Sequence, residues 1–496
     1  MSTLDWPIDL RKRSAATVLR SIATGPLPLA LIVLAGVVVR AGLPTVHHAW
    51  AGISEFDDGV HFGAAQLLFA GRLPYRDFAF LQPPGIILLL QPLAALARLI
   101  GDDPALVVGR AGFVAIGALN ILLTWKLLRP RGRVAAGVAA AFYAAWWGTV
   151  VTERTILLEP LLNLGLLATL LLVRRSSPRA ALLAGLVLGL TCTIKLWPWA
   201  FVPVLVIWIA RTQSVRSGGR FLLGVIASFG SVIAPFWILA GGALPHQVLS
   251  AQLGRHDRPV SLIARLRLFD GLDGLGSVQR IIPGTILVLA TVLFFVLAVR
   301  SARRDREITL WLALLVVGAL ALQLAPSFYY HYPAFLAVPL AAVLGSLGAA
   351  GWRRVKGRGR PLGVVTAALL AGLLAVSAAR GGWDPQPVRH DIPAVAQARC
   401  VFADLPILLI TANHFSDQAG CGFTLDSSAQ VMADGRSAAG RTFRTEFMHA
   451  DAALLLWGGP QHQWGWTAQT VRSFRQQFRF AGLLPHGISL WARKAP

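Results

Sequence analysis

Apolar runs of membrane-spanning length recur along most of this chain, and that one feature constrains its fold more than any other. The runs are Leu27–Val46, Ala105–Leu128, Val134–Val150, Ile156–Val173, Ala180–Ile194, Leu196–Ala210, Phe221–Ala240, Ile281–Val299, Ile308–Ala325, Ala334–Ala350 and Leu362–Ala379. Inside hydrocarbon no water satisfies backbone N–H and C=O groups, so continuous apolar segments of this length cross as helices. With 55% hydrophobic and 14% charged residues over 496 positions, and a mean hydropathy of +0.61, the chain reads as an α-helical polytopic membrane protein.

The formal charge of +23 does not point to nucleic acid. The arginines sit in short clusters between apolar runs, the pattern that marks cytoplasmic loops. Arg129–Arg133, Arg174–Arg179, Arg211–Arg220, Arg300–Arg306 and Arg353–Arg360 are expected inside, together with an N-terminal arm, residues 1–26, carrying Arg11, Lys12, Arg13 and Arg20. Leu27–Val46 reads as an uncleaved first span, with no small-residue cleavage site after a short apolar core. Pro84–Ile100 is apolar enough to cross, but a crossing there inverts every later loop. It is therefore expected to be interfacial or re-entrant, leaving about 11 spans over residues 27–380.

The topology puts a dense polar, aromatic and Pro/Gly stretch, Ser54–Gly85, in the first outer loop (residues 47–85). A short helix is expected over Val60–Ala70, ended by Gly71 and Pro74. If it starts near Asp57, His61 falls one turn on, on the same face. Leu67, Leu68 and Phe69 are expected at the lipid interface. After Arg380 the character changes. Residues 381–496 read as a small outer α/β domain, with strand-like runs at Ile407–Thr411, Ala453–Trp457 and Ile488–Ala492 and a helix at Thr467–Phe478. Cys400 and Cys421 lie in this tail, and an extracytoplasmic tail favours a disulfide between them. Cys192 lies in an apolar run and reads as packing.

The outer side collects the chemistry-bearing residues. Asp57 and Asp58 follow the first span, and Arg154 and Glu159 precede a later run. Lys195 precedes Trp197-Pro198, and Arg255, His256, Asp257, Arg258, Arg265 and Arg267 occupy the longest loop. Tyr329, Tyr330, His331 and Tyr332 form a short turn. Carboxylates beside cations at a membrane surface suit one reaction: a hydroxyl gives a proton to a carboxylate while a lipid phosphate departs, held by Lys and Arg. Plainer roles stay open. Asp57 and Asp58 serve as helix-capping residues, Lys195 snorkels, the basic loop binds headgroups, and the tyrosine turn is an aromatic belt. Asp57, Asp58 and Glu159 are also the carboxylates available to a divalent cation, although no His, Cys or carboxylate group has the close spacing of a dedicated metal site. No Walker loop, G-x-S-x-G or H-E-x-x-H occurs.

The pattern FDDG-x-HF-x3-Q-x3-AGRLPYRDF-x3-QPPG resembles the first outer loop of the GT-C membrane glycosyltransferases, above all the protein O-mannosyltransferase and lipid A aminoarabinose transferase group. The resemblance implies a GT-C fold with the tail as a variable outer domain. It makes Asp57, with Asp58 beside it, the essential acid, and Gln82-Pro83-Pro84 the Pro-Pro motif, where Lys or His is commoner before the prolines. Glu159-Pro160-Leu161 stands where an acid precedes Leu, and Ile194-Lys195 where Thr-Lys is usual. The substrate-binding set suggested by the residues and the resemblance together is Lys195, Arg255, His256, Arg258, Gln82, His61, Tyr330 and His331. The family implies a polyprenyl-phosphate monosaccharide donor, no nucleotide sugar, and inversion at the anomeric carbon. The expected acceptor is a glycan, lipid or protein outside a bacterial plasma membrane. A lipid-linked sugar transporter or flippase, and a non-catalytic envelope-assembly protein, are the alternatives.

Overall fold

The computed structural model describes residues 27–46, 50–255, 260–262, 264–265, 268, 281–354, 392–416, 421, 425–456, 459–460, 466–484 and 487–494. The N-terminal arm, His256, Arg258, Arg267, most of the Arg353–Arg360 cluster and the expected span Leu362–Ala379 lie outside them.

The chain is mostly helical. Helix α1 is Leu27–Val46, α2 Phe56–Phe69, α3 Gly85–Leu89, α4 Gln91–Ile100 and α5 Asp102–Leu128. Then come α6 Arg133–Ala145, α7 Trp147–Thr152, α8 Glu159–Val173, α9 Pro178–Cys192, α10 Phe201–Thr212 and α11 Val215–Ala240. A one-turn π-helix, His246–Ala251, precedes α12 Ile281–Ala302, α13 Arg306–Gln323 and α14 Ala337–Arg354. Among the described residues, Asp102–Arg131, Val215–Ala240, Arg306–Gln323 and Tyr332–Gly351 are long and apolar enough to cross a membrane, and six shorter apolar helices accompany them. The chain is a multi-pass membrane protein.

The segment Pro84–Ile100 is broken at Leu90 into α3 and α4, of 5 and 10 residues. The longer reaches about 15 Å, half of a ~30 Å hydrocarbon core, so each alone is too short to span it. Elsewhere small residues set the packing. Gly185 and Gly189 lie one turn apart on α9, and a Cβ on them would fall 2.0 Å from the Phe221 carbonyl oxygen and 2.2 Å from Ser228 Oγ on α11. Close backbone approach of this kind is how helices associate where lipid tails supply no hydrophobic drive.

The tail continues with β1 Val401–Ala403, α15 Pro406–Thr411, α16 Ser427–Asp434, α17 Arg436–Met448, β2 Ala452–Leu455, α18 Ala468–Gln477, β3 Phe478–Leu484 and β4 Ile488–Arg493. Its sheet has the order β1-β2-β4-β3, with β1 and β2 parallel and the rest antiparallel. The strand expected at Ile407–Thr411 is the helix α15. Pro406 opens its first turn, and Ile407, Leu408, Leu409 and Ile410 are all buried, so its apolar run carries no alternation to tell helix from strand. Cys400 and Cys421 are disulfide-bonded, with Cα atoms 5.8 Å apart.

The tail docks on the first loop and α5. Gly59 of α2 lies so close to Ile407 that a Cβ there would fall 2.6 Å from its backbone nitrogen. Phe62, Leu67, Ile407, Leu408 and Phe415 share one core. Asp102, at the start of α5, accepts from Phe415 N at 2.8 Å and Ser416 N at 2.9 Å, and its own N–H donates to Asn413 Oδ1 at 2.6 Å. At the far end of α5, about 40 Å away at 1.5 Å per residue, Arg131 pairs with Asp305 and Glu307, and Glu307 with Arg174. The tail and three charged loops thus stand at opposite ends of one spanning helix.

Candidate active site

Helix α2 starts as its sequence dictates. Glu55 is the N-cap, its Oε1 accepting from Phe56 N at 3.0 Å, and Asp57 and Asp58 lie in the first turn, where the helix dipole favours negative charge. Gly71 follows the helix at φ +84°, as expected of a C-terminal stop.

The two aspartates part company there. Asp58 is fully buried. Its Oδ2 accepts from Arg110 Nε at 2.8 Å and Nη2 at 2.7 Å, and its Oδ1 accepts from Ile156 N at 2.6 Å. His61, also buried, meets the other end of the same residue, its Nδ1 2.8 Å from the Ile156 carbonyl oxygen. Asp58 and His61 therefore clamp one residue of the 153–158 loop to α2. Both side chains, expected as a base and a substrate ligand, are thus engaged in buried contacts with that loop. Asp57 is different: its side chain is 46% exposed, and His331 Nε2 lies 4.0 Å from its Oδ2.

The same loop is anchored from below by Arg40 and Glu153, both fully buried. Arg40 Nη2 lies 2.6 Å from Glu153 Oε2, and Glu153 Oε1 accepts from Asn120 Nδ2 at 2.8 Å and Tyr143 Oη at 2.7 Å. Further Arg40 donors reach the Gly36 and Ala144 carbonyls. A buried charge pair persists when its remaining hydrogen-bonding capacity is met, as it is here.

Beyond the loop, Glu159 opens α8 ahead of Pro160 and is fully buried. Lys195 Nζ lies 2.8 Å from its Oε1, and His331 Nδ1 lies 3.1 Å from its Oε2. The Lys195 ammonium also sits 3.5 Å from the Trp197 ring centroid and 4.5 Å from that of Tyr332. Lys195, expected to face a donor phosphate directly, is thus engaged by a carboxylate and two aromatic faces. His331 bridges Asp57 and Glu159.

The turn before Tyr332 completes the site. Tyr330 Oη donates to Glu55 Oε2, 275 residues away in sequence. Arg255 Nη2 donates to Tyr329 Oη at 2.5 Å and lies 4.9 Å from that ring. Burial raises the Glu55 carboxyl to about 7, with the Asp57 charge adding to the rise and His331 and the Tyr330 hydrogen bond opposing it. From the tail, Asp426 caps α16 by accepting from Ala429 N at 2.9 Å, and burial raises its carboxyl, with the Ala429 hydrogen bond and the Arg255 charge opposing the rise and the Asp57 charge adding to it. Gln82 engages through its carbonyl, which accepts from Tyr75 Oη at 2.7 Å. Tyr75 holds a left-handed backbone at φ 69°, secured by Gln247 Nε2 donating to its carbonyl at 3.0 Å.

The structure thus brings together Asp57, Glu159, Lys195, Tyr330, His331 and Arg255. It sets Asp58 and His61 behind them and leaves Gln82 in the loop framework, while His256 and Arg258 lie outside the described residues. Among the described residues no three His, Cys, Asp or Glu side chains converge as a metal-holding group. Asp58 and Glu159, two of the carboxylates considered for a divalent cation, face Arg110 and Lys195 instead. Sequence reasoning missed Glu55, Arg40, Glu153, Arg110 and Asp426. Arg40 carries a usable signal, a charge inside an apolar run.

No protein-family model matches the chain, and no curated protein matches it. Solved structures do. The oligosaccharyltransferase of Archaeoglobus fulgidus, solved with zinc and sulfate, superposes with a TM-score of 0.57 at 12% identity, over 94% of this chain and 73% of its own. ArnT from Cupriavidus metallidurans, bound to undecaprenyl phosphate, gives 0.59 at 13%, over 95% and 98%. The mycobacterial arabinofuranosyltransferase AftD gives 0.51 at 16%, over 95% of this chain and 40% of its own. These neighbours are GT-C glycosyltransferases, and the chain has their fold.

Proposed function

We propose that this chain is an integral-membrane glycosyltransferase that moves a monosaccharide from a polyprenyl phosphate to an extracytoplasmic acceptor, with inversion. The observation that carries the reading is the contrast at the start of α2: Asp58 is neutralised by Arg110, while Asp57 stays half-exposed beside His331. A carboxylate in that state suits a general base. The acceptor O–H gives its proton to Asp57, and the oxygen forms a bond to the anomeric carbon as the bond from that carbon to the phosphate oxygen breaks. The electron pair leaves with the polyprenyl phosphate. Arg255, with Lys195 behind it, supplies the fixed positive charge for that departure in a poorly solvated site. Glu159 holds Lys195 and His331 in place.

The reading extends to the surroundings. The tail, which packs on α2 next to Asp57, helps cover the site and select the acceptor. The basic loops at the far end of α5 suit the cytoplasmic side of a bacterial plasma membrane, with the tail on the outer side. The test is incubation of purified protein in nanodiscs with a panel of short-chain polyprenyl-phosphate sugars and candidate glycan, lipid and peptide acceptors. Release of free polyprenyl phosphate coupled to an inverted glycoside is the expected result. Donor binding without turnover against every acceptor would refute the proposal.

A further inference from the structure

Arg265 has no place in the reaction as described so far, yet all three of its guanidinium nitrogens are engaged. It is buried, on a helical segment of the connection between α11 and α12. Its Nε donates to the Val260 carbonyl at 2.9 Å, within its own segment. Nη1 donates to the Leu322 and Gln323 carbonyls at 3.1 and 2.8 Å, and Nη2 to the Ala325 carbonyl at 2.9 Å. Leu322 and Gln323 end α13, where the helix dipole is negative and carbonyls lack helical partners, and Ala325 lies just beyond. The guanidinium also lies 5.2 Å from the ring centroid of the buried Phe328.

Arg255 meets the same stretch further on. Ser327 Oγ donates to its carbonyl at 3.4 Å, and its Nη2 donates to Tyr329 Oη at 2.5 Å. Two arginines of one connection thus hold residues 322–329, which lead from α13 into His331. We propose that Arg265 is a positioning residue for the donor phosphate. It clamps its own segment to the end of α13, and so fixes the stretch against which Arg255 and His331 are aimed. This rests on the transferase reading above, which gives Arg255 the departing phosphate. An ordinary helix cap does less. Arg265 comes from 57 to 60 residues away, reaches past the helix to Ala325, and ties down its own segment through Val260. The contacts also call for a fork rather than a charge. Four carbonyls on two segments meet one rigid planar group, which the single ammonium of a lysine cannot reproduce.

The experiment is binding of undecaprenyl phosphate to the full-length protein in nanodiscs, with the melting midpoint read on the same preparations. Arg255→Ala is expected to weaken binding about 10- to 100-fold, the loss of a charge-assisted contact. Arg265→Lys, which keeps the charge and loses the fork, weakens it about 10-fold with little change in midpoint. Added to Arg255→Ala, it costs far less than that, because a clamp acting through Arg255 has nothing left to aim. Arg265→Met is carried alongside, so that the test stands if one of the two Arg265 variants fails to fold. Wild-type affinity in the Arg265 variants, or losses that simply multiply in the double variant, would overturn the clamp alone. A lowered midpoint with unchanged affinity would do the same, leaving Arg265 a structural cap. A wild type that binds no undecaprenyl phosphate would overturn the transferase reading, and the clamp with it.

Discussion

At the scale of single residues, the proposed site pairs its buried carboxylates with cations and leaves Asp57 half-exposed. Asp58 and Glu153 are buried beside Arg110 and Arg40, and each pair also draws on backbone or side-chain donors. Removing one partner of such a pair strands the other, at a cost of roughly 3–5 kcal/mol. Arg40→Met is therefore expected to destabilise the protein by about that amount, read as a large fall in thermal midpoint or loss of the folded species in detergent. Retention of the wild-type midpoint would show that the pair is not a structural anchor. The adjacent carboxylates of Phe56-Asp57-Asp58-Gly59 stood out in the sequence as a candidate pair. Which of them was available was not, because the answer lies with Arg110, 52 residues from Asp58 and on another helix. The same limit hid the engagement of Lys195, whose partners Glu159 and Tyr332 are distant in sequence.

At the scale of elements, α2 is the hinge between membrane helices and tail. One face meets the 153–158 loop through Asp58 and His61, and another meets α15 through Gly59 and Phe62. Gly59→Ala makes two effects compete. Alanine improves helix propensity by about 1 kcal/mol. Its Cβ, however, would sit 2.6 Å from a backbone atom of Ile407, which has no rotamer to escape by. Overpacking of that kind costs about 1–3 kcal/mol, so net loss of docking is expected. Faster proteolytic release of the tail, with the membrane helices intact, would report it. Unchanged proteolysis would mean that α15 yields easily. The stop of α2 at Gly71 followed from local residues, whereas its Glu55 cap and the break of Pro84–Ile100 at Leu90 did not. The helical state of α15 did not, because its apolar run is buried all round between α2 and the sheet and so has no polar face to set a period.

At the scale of the whole molecule, membrane character was the most legible property, since backbone satisfaction in hydrocarbon leaves few alternatives to helices. The association of α9 with α11 was legible only in retrospect, through Gly185 and Gly189. The tail is held both by docking and by the Cys400–Cys421 disulfide, which closes a separation of 21 residues. Replacing both cysteines by serine is expected to lower tail stability by about 3 kcal/mol. Hydrogen exchange confined to residues 392–494 would read this, and uniform exchange with and without the disulfide would contradict it.

The account as a whole turns on the division of labour between two neighbouring aspartates, and one measurement addresses it directly. Transfer from a polyprenyl-phosphate sugar and thermal stability would be measured on the same preparations of wild type, Asp57→Asn and Asp58→Asn. The prediction is that Asp57→Asn loses about 10²- to 10⁴-fold in rate with its melting midpoint unchanged, whereas Asp58→Asn loses stability first. Full transfer by Asp57→Asn, or a stable Asp58→Asn protein devoid of transfer, would contradict it.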